Sequence, residues 1–385
     1  MVDSFVDEWK IPLYKIYTDD EDLNLITKIV KRGSKWAIGP EIDEFENALA
    51  NYVGIDYCVA VNSGTSALHA AFLAYGLNDT AEVIVPSFSF IATANAVLFV
   101  NSKPVFADIE PVTFGLDPQS VTNQISSKTK AIVPMDYGGL SCKINEIKTI
   151  ADNKNIHLIE DAAEALGANV NGKKVGSIAE TSIFSFCGNK VLTTGEGGAI
   201  VTKSKSIYEK IKLIRSHGRL DKLNYFDNPS DPQYLALGYN WRMPTMIAAL
   251  GLGQLGKLDK IIQFRRNNAK YLSDRLSKHQ EIEIPKEPVG YDHIYQMYTI
   301  KLNDEKTRDA LHDYLLQKRI FSKVYFTPIH LMPYYVAKFG TGTGMLPQTE
   351  DIYKKILTLP IYPNMTDEEK HYLTESIDEF FEKQN

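Results

Sequence analysis

Between Tyr57 and Ile159 the chain repeatedly sets a short, wholly apolar run before a longer stretch of helical periodicity. Tyr57–Val61, Val83–Val85, Pro104–Ala107, Ala131–Pro134 and His157–Ile159 are such runs, rich in β-branched residues. They are apolar throughout rather than at every second position, the pattern of strands buried on both faces. Strands that alternate with helices pair in parallel and need helices on both sides. The expected class is therefore α/β, with a mainly parallel central sheet. Ser182–Phe186 and Ala199–Thr202 read as two further strands. Pro244 to Arg265 reads as one long helix, with proline in its first turn and Met246, Ala249, Leu250 and Leu258 on its apolar face.

A chain of 385 residues exceeds what one hydrophobic core usually supports. Two units are expected, a large one over 1–264 that includes an N-terminal arm, and a smaller α/β one over 265–385. In the smaller unit Met297–Leu302 alternates like a half-exposed strand, while Thr307–Lys318 and Asp367–Phe381 are helical. No internal repeat is visible.

The charge balance narrows the partners. Net charge is −6 and neither Lys nor Arg forms a dense run, which argues against nucleic acid or an anionic membrane surface and for small molecules or protein. Cys58, Cys142 and Cys187 stand far apart with no CxxC spacing, which fits a reducing cytoplasm better than a disulfide framework or a zinc site. The start, Met1-Val2-Asp3-Ser4, has neither the basic residues nor the apolar stretch of a signal peptide. Val83 to Val100 is long enough to cross a membrane, but Pro86, Ser87, Ser89, Thr93 and Asn95 interrupt it, so a strand running into a buried helix is expected. The eight histidines show no ligand spacing, and no metal is expected. Gly251-Leu252-Gly253-Gln254-Leu255-Gly256 satisfies GxGxxG, but it falls inside a helical pattern instead of between a strand and a helix. Its glycines read as close helix packing.

Three segments could carry chemistry. In Ser185-Phe186-Cys187-Gly188-Asn189-Lys190, followed by a glycine-rich turn to Gly198, a lysine leaves a hydrophobic strand. Partial burial favours a neutral amine able to form a Schiff base, although alone this is more simply a surface lysine beside a tight turn. Asp161, in Leu158-Ile159-Glu160-Asp161, follows a buried parallel strand, where ligand sites of open α/β sheets lie. An aspartate there could keep the pyridine nitrogen of pyridoxal 5′-phosphate (PLP) protonated; helix capping explains it as well. In Val61-Asn62-Ser63-Gly64-Thr65-Ser66 a strand gives way to a helix whose first N–H groups suit a phosphate, or are merely capped. Lysine, aspartate and phosphate loop in this order across one α/β domain point together to PLP.

With these residues the chain resembles the DegT/DnrJ/EryC1/StrS family of sugar-nucleotide aminotransferases, among the fold type I PLP enzymes. The likeness runs from Ile11 to about Phe381. In Phe184–Gly198 and Gly238–Gly251 it is to the GDP-perosamine synthase-like group, which aminates 4-keto-6-deoxy sugars. The resemblance implies that Lys190 is the Schiff-base lysine and Asp161 the partner of the pyridine nitrogen. By the same likeness Gly64, Thr65 and Ser185 hold the phosphate, and Phe90 stacks on the ring unless it is a core phenylalanine. Asn240 reaches the phosphate of a neighbouring subunit, which implies a homodimer with its site at the interface. Glu164 stands where many relatives have His or Gln, and is expected near the cofactor's phenolic oxygen or the sugar. Asp136 stands where many have His, its role open. Lys35, Arg219 and Arg242 are basic candidates for the substrate, and His330 lies in a segment resembling one that lines the substrate site, or simply packs a loop. The implied reaction moves an amino group from L-glutamate to a nucleotide-linked 4-keto-6-deoxyhexose.

Three alternatives stay open: a 3-keto sugar aminotransferase of the same family, other PLP chemistry, and a non-catalytic binding or regulatory protein on this fold. A sugar dehydratase of the family carries histidine where Lys190 stands, and a desulfurase needs a mobile cysteine, whereas Cys187 is expected along a buried strand end.

Overall fold

The computed structural model describes residues 9–219 and 233–383; the acidic start at Met1–Ser4 lies outside them. Within them the first five apolar runs form strands β1 to β5 (Tyr57–Val61, Glu82–Pro86, Lys103–Ala107, Thr129–Ile132, His157–Asp161). After two short strands, β6 and β7 (Asn169–Val170, Lys173–Lys174), come β8 (Thr181–Ser185) and β9 (Gly198–Thr202). The main sheet has seven strands in the order β1-β9-β8-β5-β4-β2-β3. The neighbours from β8 to β3 pair in parallel, while β9 runs against both β1 and β8. Almost every position of these strands is buried, as a sheet covered on both faces requires.

Helices α1 (Asp20–Arg32) and α2 (Pro40–Val53) precede the sheet, and α3 to α7 (Gly64–Ala74, Ala92–Phe99, Pro118–Gln124, Ile144–Lys154, Lys205–Arg215) cover it. Helix α1 is closed by a capping box, Asp19 with Asp22, and by Gly33 in the left-handed conformation. The apolar run 83–100 resolves into β2 and the buried helix α4, as its polar interruptions imply.

The segment after Pro244 departs from a single long helix. Two helices form, α8 (Thr245–Gly256) and α9 (Leu258–Leu276), separated at Lys257, and Pro244 is the cap of α8 instead of a residue of its first turn. At the junction Lys257 has φ −111° and ψ 7°, and its buried amine forms ion pairs with Asp19 and with Asp22, the latter at 3.0 Å. The glycines of α8 serve close packing as expected. A side chain at Gly251 would stand 2.8 Å from the Phe45 ring, and one at Gly253 would meet Asp22 and Leu25.

Helix α9 leads to a second, antiparallel sheet of β10 (Ile282–Glu283), β12 (Tyr298–Leu302) and β13 (Ile356–Leu359); β11 (Tyr291–Asp292) pairs instead with β6. Helices α10 (Glu305–Gln317), α12 (Pro347–Lys355) and α13 (Asp367–Glu382) pack around it, while α11 (Pro333–Phe339) turns Tyr335 into the core of the main sheet. The division expected at 264/265 falls within α9. The strand expected to be half-exposed is buried along nearly its whole length, since Thr299 is satisfied by Thr358 at 2.8 Å and needs no water. Ile11 bridges to Ile320 and is fully buried with residues of this second core, which ties the N-terminal arm to the C-terminal part.

Candidate active site

The carboxyl ends of the parallel strands open on a cavity of about 370 Å³. That volume suits a cofactor-sized molecule. Three chain reversals supply its polar walls.

The first is the step from β1 to α3. Ser63 caps the helix, its Oγ accepting the Ser66 N–H at 3.1 Å, and Gly64 and Thr65 begin the first turn at the cavity wall. Backbone N–H groups at such a terminus attract an anion. Gly64 presses on the end of β8, where any side chain would stand 2.9 Å from the Ser185 Cβ. Only glycine lets the helix start and Ser185 share this wall.

The second is the end of β5. Alternation along the strand turns Glu160 and Asp161 to opposite faces, and Asp161 faces the cavity. Its carboxyl accepts the Thr93 hydroxyl at 2.7 Å and the Ala163 N–H at 3.3 Å. Burial pushes its pKa up to about 6, against the pull of the Thr93 bond. Beyond it Glu164 is buried with one oxygen accepting the Gly138 N–H at 3.0 Å. Gly138 reaches that position in the left-handed conformation, φ 63°.

The third is the turn after β8. The Lys190 N–H donates to the Cys187 carbonyl at 2.9 Å and the Thr194 N–H to that of Phe186, folding the lysine back over the sheet end. Its Nζ donates to the free oxygen of Glu164 at 3.1 Å, and its side chain is only 13% exposed. Lysine and carboxylate thus form a largely buried ion pair fixed by a backbone donor.

Gly64, Thr65, Phe90, Asp161, Glu164, Ser185 and Lys190 are therefore brought together. Phe90 is 58% exposed, so it is not a core residue; its ring stands 6.2 Å from that of Phe326. Lys35, Asn240, Arg219 and His330 do not line the cavity. Lys35 is exposed beyond α1, and Asn240 is exposed with its backbone bridged to Ser216. Arg219 is buried elsewhere, and Arg242 donates to Ser216 at 2.9 Å. His330 is fully buried between Ser87, 2.7 Å from its Nδ1, and Glu350, 3.1 Å from its Nε2. That is the environment of a loop-packing histidine. Cys187, expected along a buried strand end, is instead half-buried in the cavity wall with its Sγ 3.7 Å from Glu196, because β8 ends two residues earlier.

Sequence reasoning missed Thr93 and the C-terminal residues Lys323, Tyr325 and Phe326, which also line the cavity. Burial lifts the Tyr325 phenol to about 12, with the Glu164 carboxylate adding to the rise. Thr93 had a signal, as a hydroxyl one helical turn from Phe90 inside an apolar run. The C-terminal three had none, since only the tertiary fold brings them to the sheet end.

A model of the DegT/DnrJ/EryC1/StrS aminotransferase family matches residues 17–378. GDP-perosamine synthase of Escherichia coli O157:H7 is 33% identical over 96% of this chain and 98% of its own. The UDP-4-amino-4,6-dideoxy-N-acetyl-beta-L-altrosamine transaminase of Campylobacter jejuni is 34% identical over 95% and 96%. Among solved structures, the Helicobacter pylori aminotransferase PseC, involved in pseudoaminic acid biosynthesis, superposes with a TM-score of 0.90 at 29% identity, covering 97% of this chain and 99% of that one.

Proposed function

The chain belongs to the DegT/DnrJ/EryC1/StrS aminotransferase family, and from that premise we propose that it is a PLP enzyme that moves the amino group of L-glutamate to the ketone of a nucleotide-linked 4-keto-6-deoxyhexose. The observation that carries this reading is the meeting, in one cavity, of a half-buried lysine, a buried carboxyl and a helix N-terminus narrowed by Gly64.

Those residues fit PLP. Gly64, Thr65 and Ser185 would hold its phosphate, where glycine leaves the space a side chain would fill. Asp161 would stand against the pyridine nitrogen, Phe90 against the ring face, and Glu164 near the phenolic oxygen or the sugar. Bound PLP supplies an aldehyde that amines attach to and a ring that takes up the electron pair of a broken C–H bond.

The protein's own part is proton management. Lys190 Nζ takes a proton from the α carbon of the donor and returns one to the sugar carbon that receives the amine. Glu164 receives the lysine whenever its amine is free, at the separation seen here, 3.1 Å. Asp161, ionised, favours the protonated ring nitrogen. Tyr325 and Phe326 help exclude water from the cavity wall.

The sugar class rests on the relatives. The relatives of nearly equal identity are a GDP-perosamine synthase and a transaminase named for a UDP-linked 4-amino-4,6-dideoxy sugar, which supports the 4-keto carbon and leaves the nucleotide to experiment. In the same reading the active unit is a homodimer in which the exposed Asn240 serves the partner's phosphate, and the cavity lies between a large unit, 1–264, and a smaller one, 265–385. The test is incubation with L-glutamate and a panel of GDP-, UDP- and dTDP-linked 4-keto and 3-keto 6-deoxyhexoses. Release of 2-oxoglutarate with an amino sugar carrying nitrogen at C4 is expected. Turnover of 3-keto substrates alone would overturn the sugar assignment, and no turnover with any donor would overturn the whole reading.

A further inference from the structure

Behind the cavity, on the opposite face of β5 from Asp161, two acidic side chains are buried. Asp136 and Glu160 are both fully buried. Asp136 Oδ1 accepts the Cys142 N–H at 2.8 Å. Glu160 Oε2 accepts the Ser182 hydroxyl at 2.6 Å and the Gly176 N–H at 3.0 Å. The remaining oxygens, Asp136 Oδ2 and Glu160 Oε1, are buried and find no N–H or O–H donor. Met135 bridges to Asp161 in parallel register and both line the cavity, which turns the side chains of Asp136 and Glu160 together to the opposite face.

Two ionised carboxylates in that position would repel and would each leave an oxygen desolvated without a donor. One proton converts the contact into a strong O–H···O⁻ bond and satisfies both oxygens. We propose that Asp136 and Glu160 share a single proton between Oδ2 and Oε1, and that this acid pair is the positioning element behind Glu164 and Lys190. The surroundings agree. Burial drives the Asp136 carboxyl well above its usual range, and the charges of Glu160 and Asp161 add to the rise. Burial raises Glu160 too, with Lys203 opposing. Cys142 and Tyr291 are the other titratable groups that face the pair, and both are held neutral by burial.

The link to the site is short. The Asp136 N–H donates to the Asp161 carbonyl at 3.1 Å and its Oδ1 accepts the Cys142 N–H, so Asp136, the member of the pair that begins the 136–139 turn, ties that turn to β5. Two residues on, Gly138 offers the N–H that fixes Glu164, and Glu164 holds the Lys190 amine. The pair rests on geometry alone; its effect on Lys190 rests on the function proposed above, and separate measurements address the two.

For the pair, chemical denaturation of the cofactor-free protein is followed from pH 5 to 7.5 for wild type, Asp136→Asn, Glu160→Gln and the double variant. The folded state keeps a proton that the unfolded chain releases above its ordinary carboxylate range, so wild-type stability falls as pH rises toward the folded pKa. Either single amide supplies a permanent hydrogen, so each folds and its stability falls less steeply, by about one proton. In the double variant both amide oxygens must face their existing donors, which sets NH₂ against NH₂, so it is less stable than the two singles predict. Unchanged pH slopes, additive effects, or failure of both singles to fold would each overturn the pair. For its role, Asp136→Asn in the cofactor-loaded enzyme keeps kcat, while Asp136→Ala, or Glu160→Ala if the first does not fold, lowers kcat about tenfold or more at unchanged KM for the amino donor. Wild-type kcat in the folded alanine variant would overturn the positioning role while leaving the pair in place.

Discussion

Asp161 shows what a working residue costs the fold. Asp161 is 3% exposed, and burial pushes its carboxyl up to about 6, since it penalises the ionised form more than Thr93 and Ala163 compensate. A carboxyl raised in this way favours folding below its unfolded pKa, and that contribution is lost as pH climbs through the folded pKa. At pH 7.5 without cofactor, Asp161→Asn should therefore be more stable than wild type, on the order of 1–3 kcal/mol by denaturant unfolding. The same substitution should cost about 10²-fold or more in turnover. A variant that is both less stable and fully active would contradict the assignment. Cofactor binding should follow the ionised carboxylate as well. Affinity for PLP, measured by equilibrium dialysis, should fall below about pH 6 in the wild type, with Asp161→Asn lacking that added dependence. The meeting of Lys190, Asp161 and Gly64 in one cavity was legible because each stands at or just beyond the end of a recognisable strand and their order is informative together. Glu164 as the partner of Lys190 was not, since the pairing depends on a donor from Gly138, 26 residues earlier.

At the level of elements, continuous apolar runs gave away the parallel strands because few polar groups can face a sheet covered on both sides. The break between α8 and α9 stayed hidden because apolar periodicity continues through Lys257 and lysine is itself a good helix former. Alternation misled at β12 because hydroxyl groups there bond to a neighbouring strand instead of water. The glycines of α8 give a matched test. Gly251→Ala places a methyl 2.8 Å from the fully buried Phe45 ring, and the overpacking should cost about 1–3 kcal/mol despite better helix propensity. Gly256→Ala meets nothing within 4 Å and should be neutral or stabilise by up to about 1 kcal/mol. Thermal melts of the two read the difference directly, and equal melting temperatures would refute the packing role of Gly251.

Across the whole molecule, the polar residues that interrupt the apolar run 83–100 are the joints between its parts. Ser87 holds His330, Asn95 accepts the Tyr335 hydroxyl at 2.8 Å, and Ser89 with Thr93 leads to Asp161. The sequence marked them only as evidence against a membrane span, and among the described residues no helix is long and apolar enough to be one. The subunit arrangement can be tested by complementation. If Asn240 serves the neighbouring site, Lys190→Ala and Asn240→Ala chains unfolded and reassembled together should be more active than the mean of the two alone, since mixed dimers regain one complete site. Activity at or below that mean would place Asn240 outside the partner's site.

The most direct test of the central claim is the visible absorbance of the purified protein with PLP, wild type against Lys190→Ala, before and after L-glutamate. Covalent attachment at Lys190 predicts a long-wavelength band in the wild type that glutamate converts to the pyridoxamine form, and a variant that does not reproduce this conversion. A wild-type spectrum indifferent to glutamate, or a variant that responds as the wild type does, would contradict it.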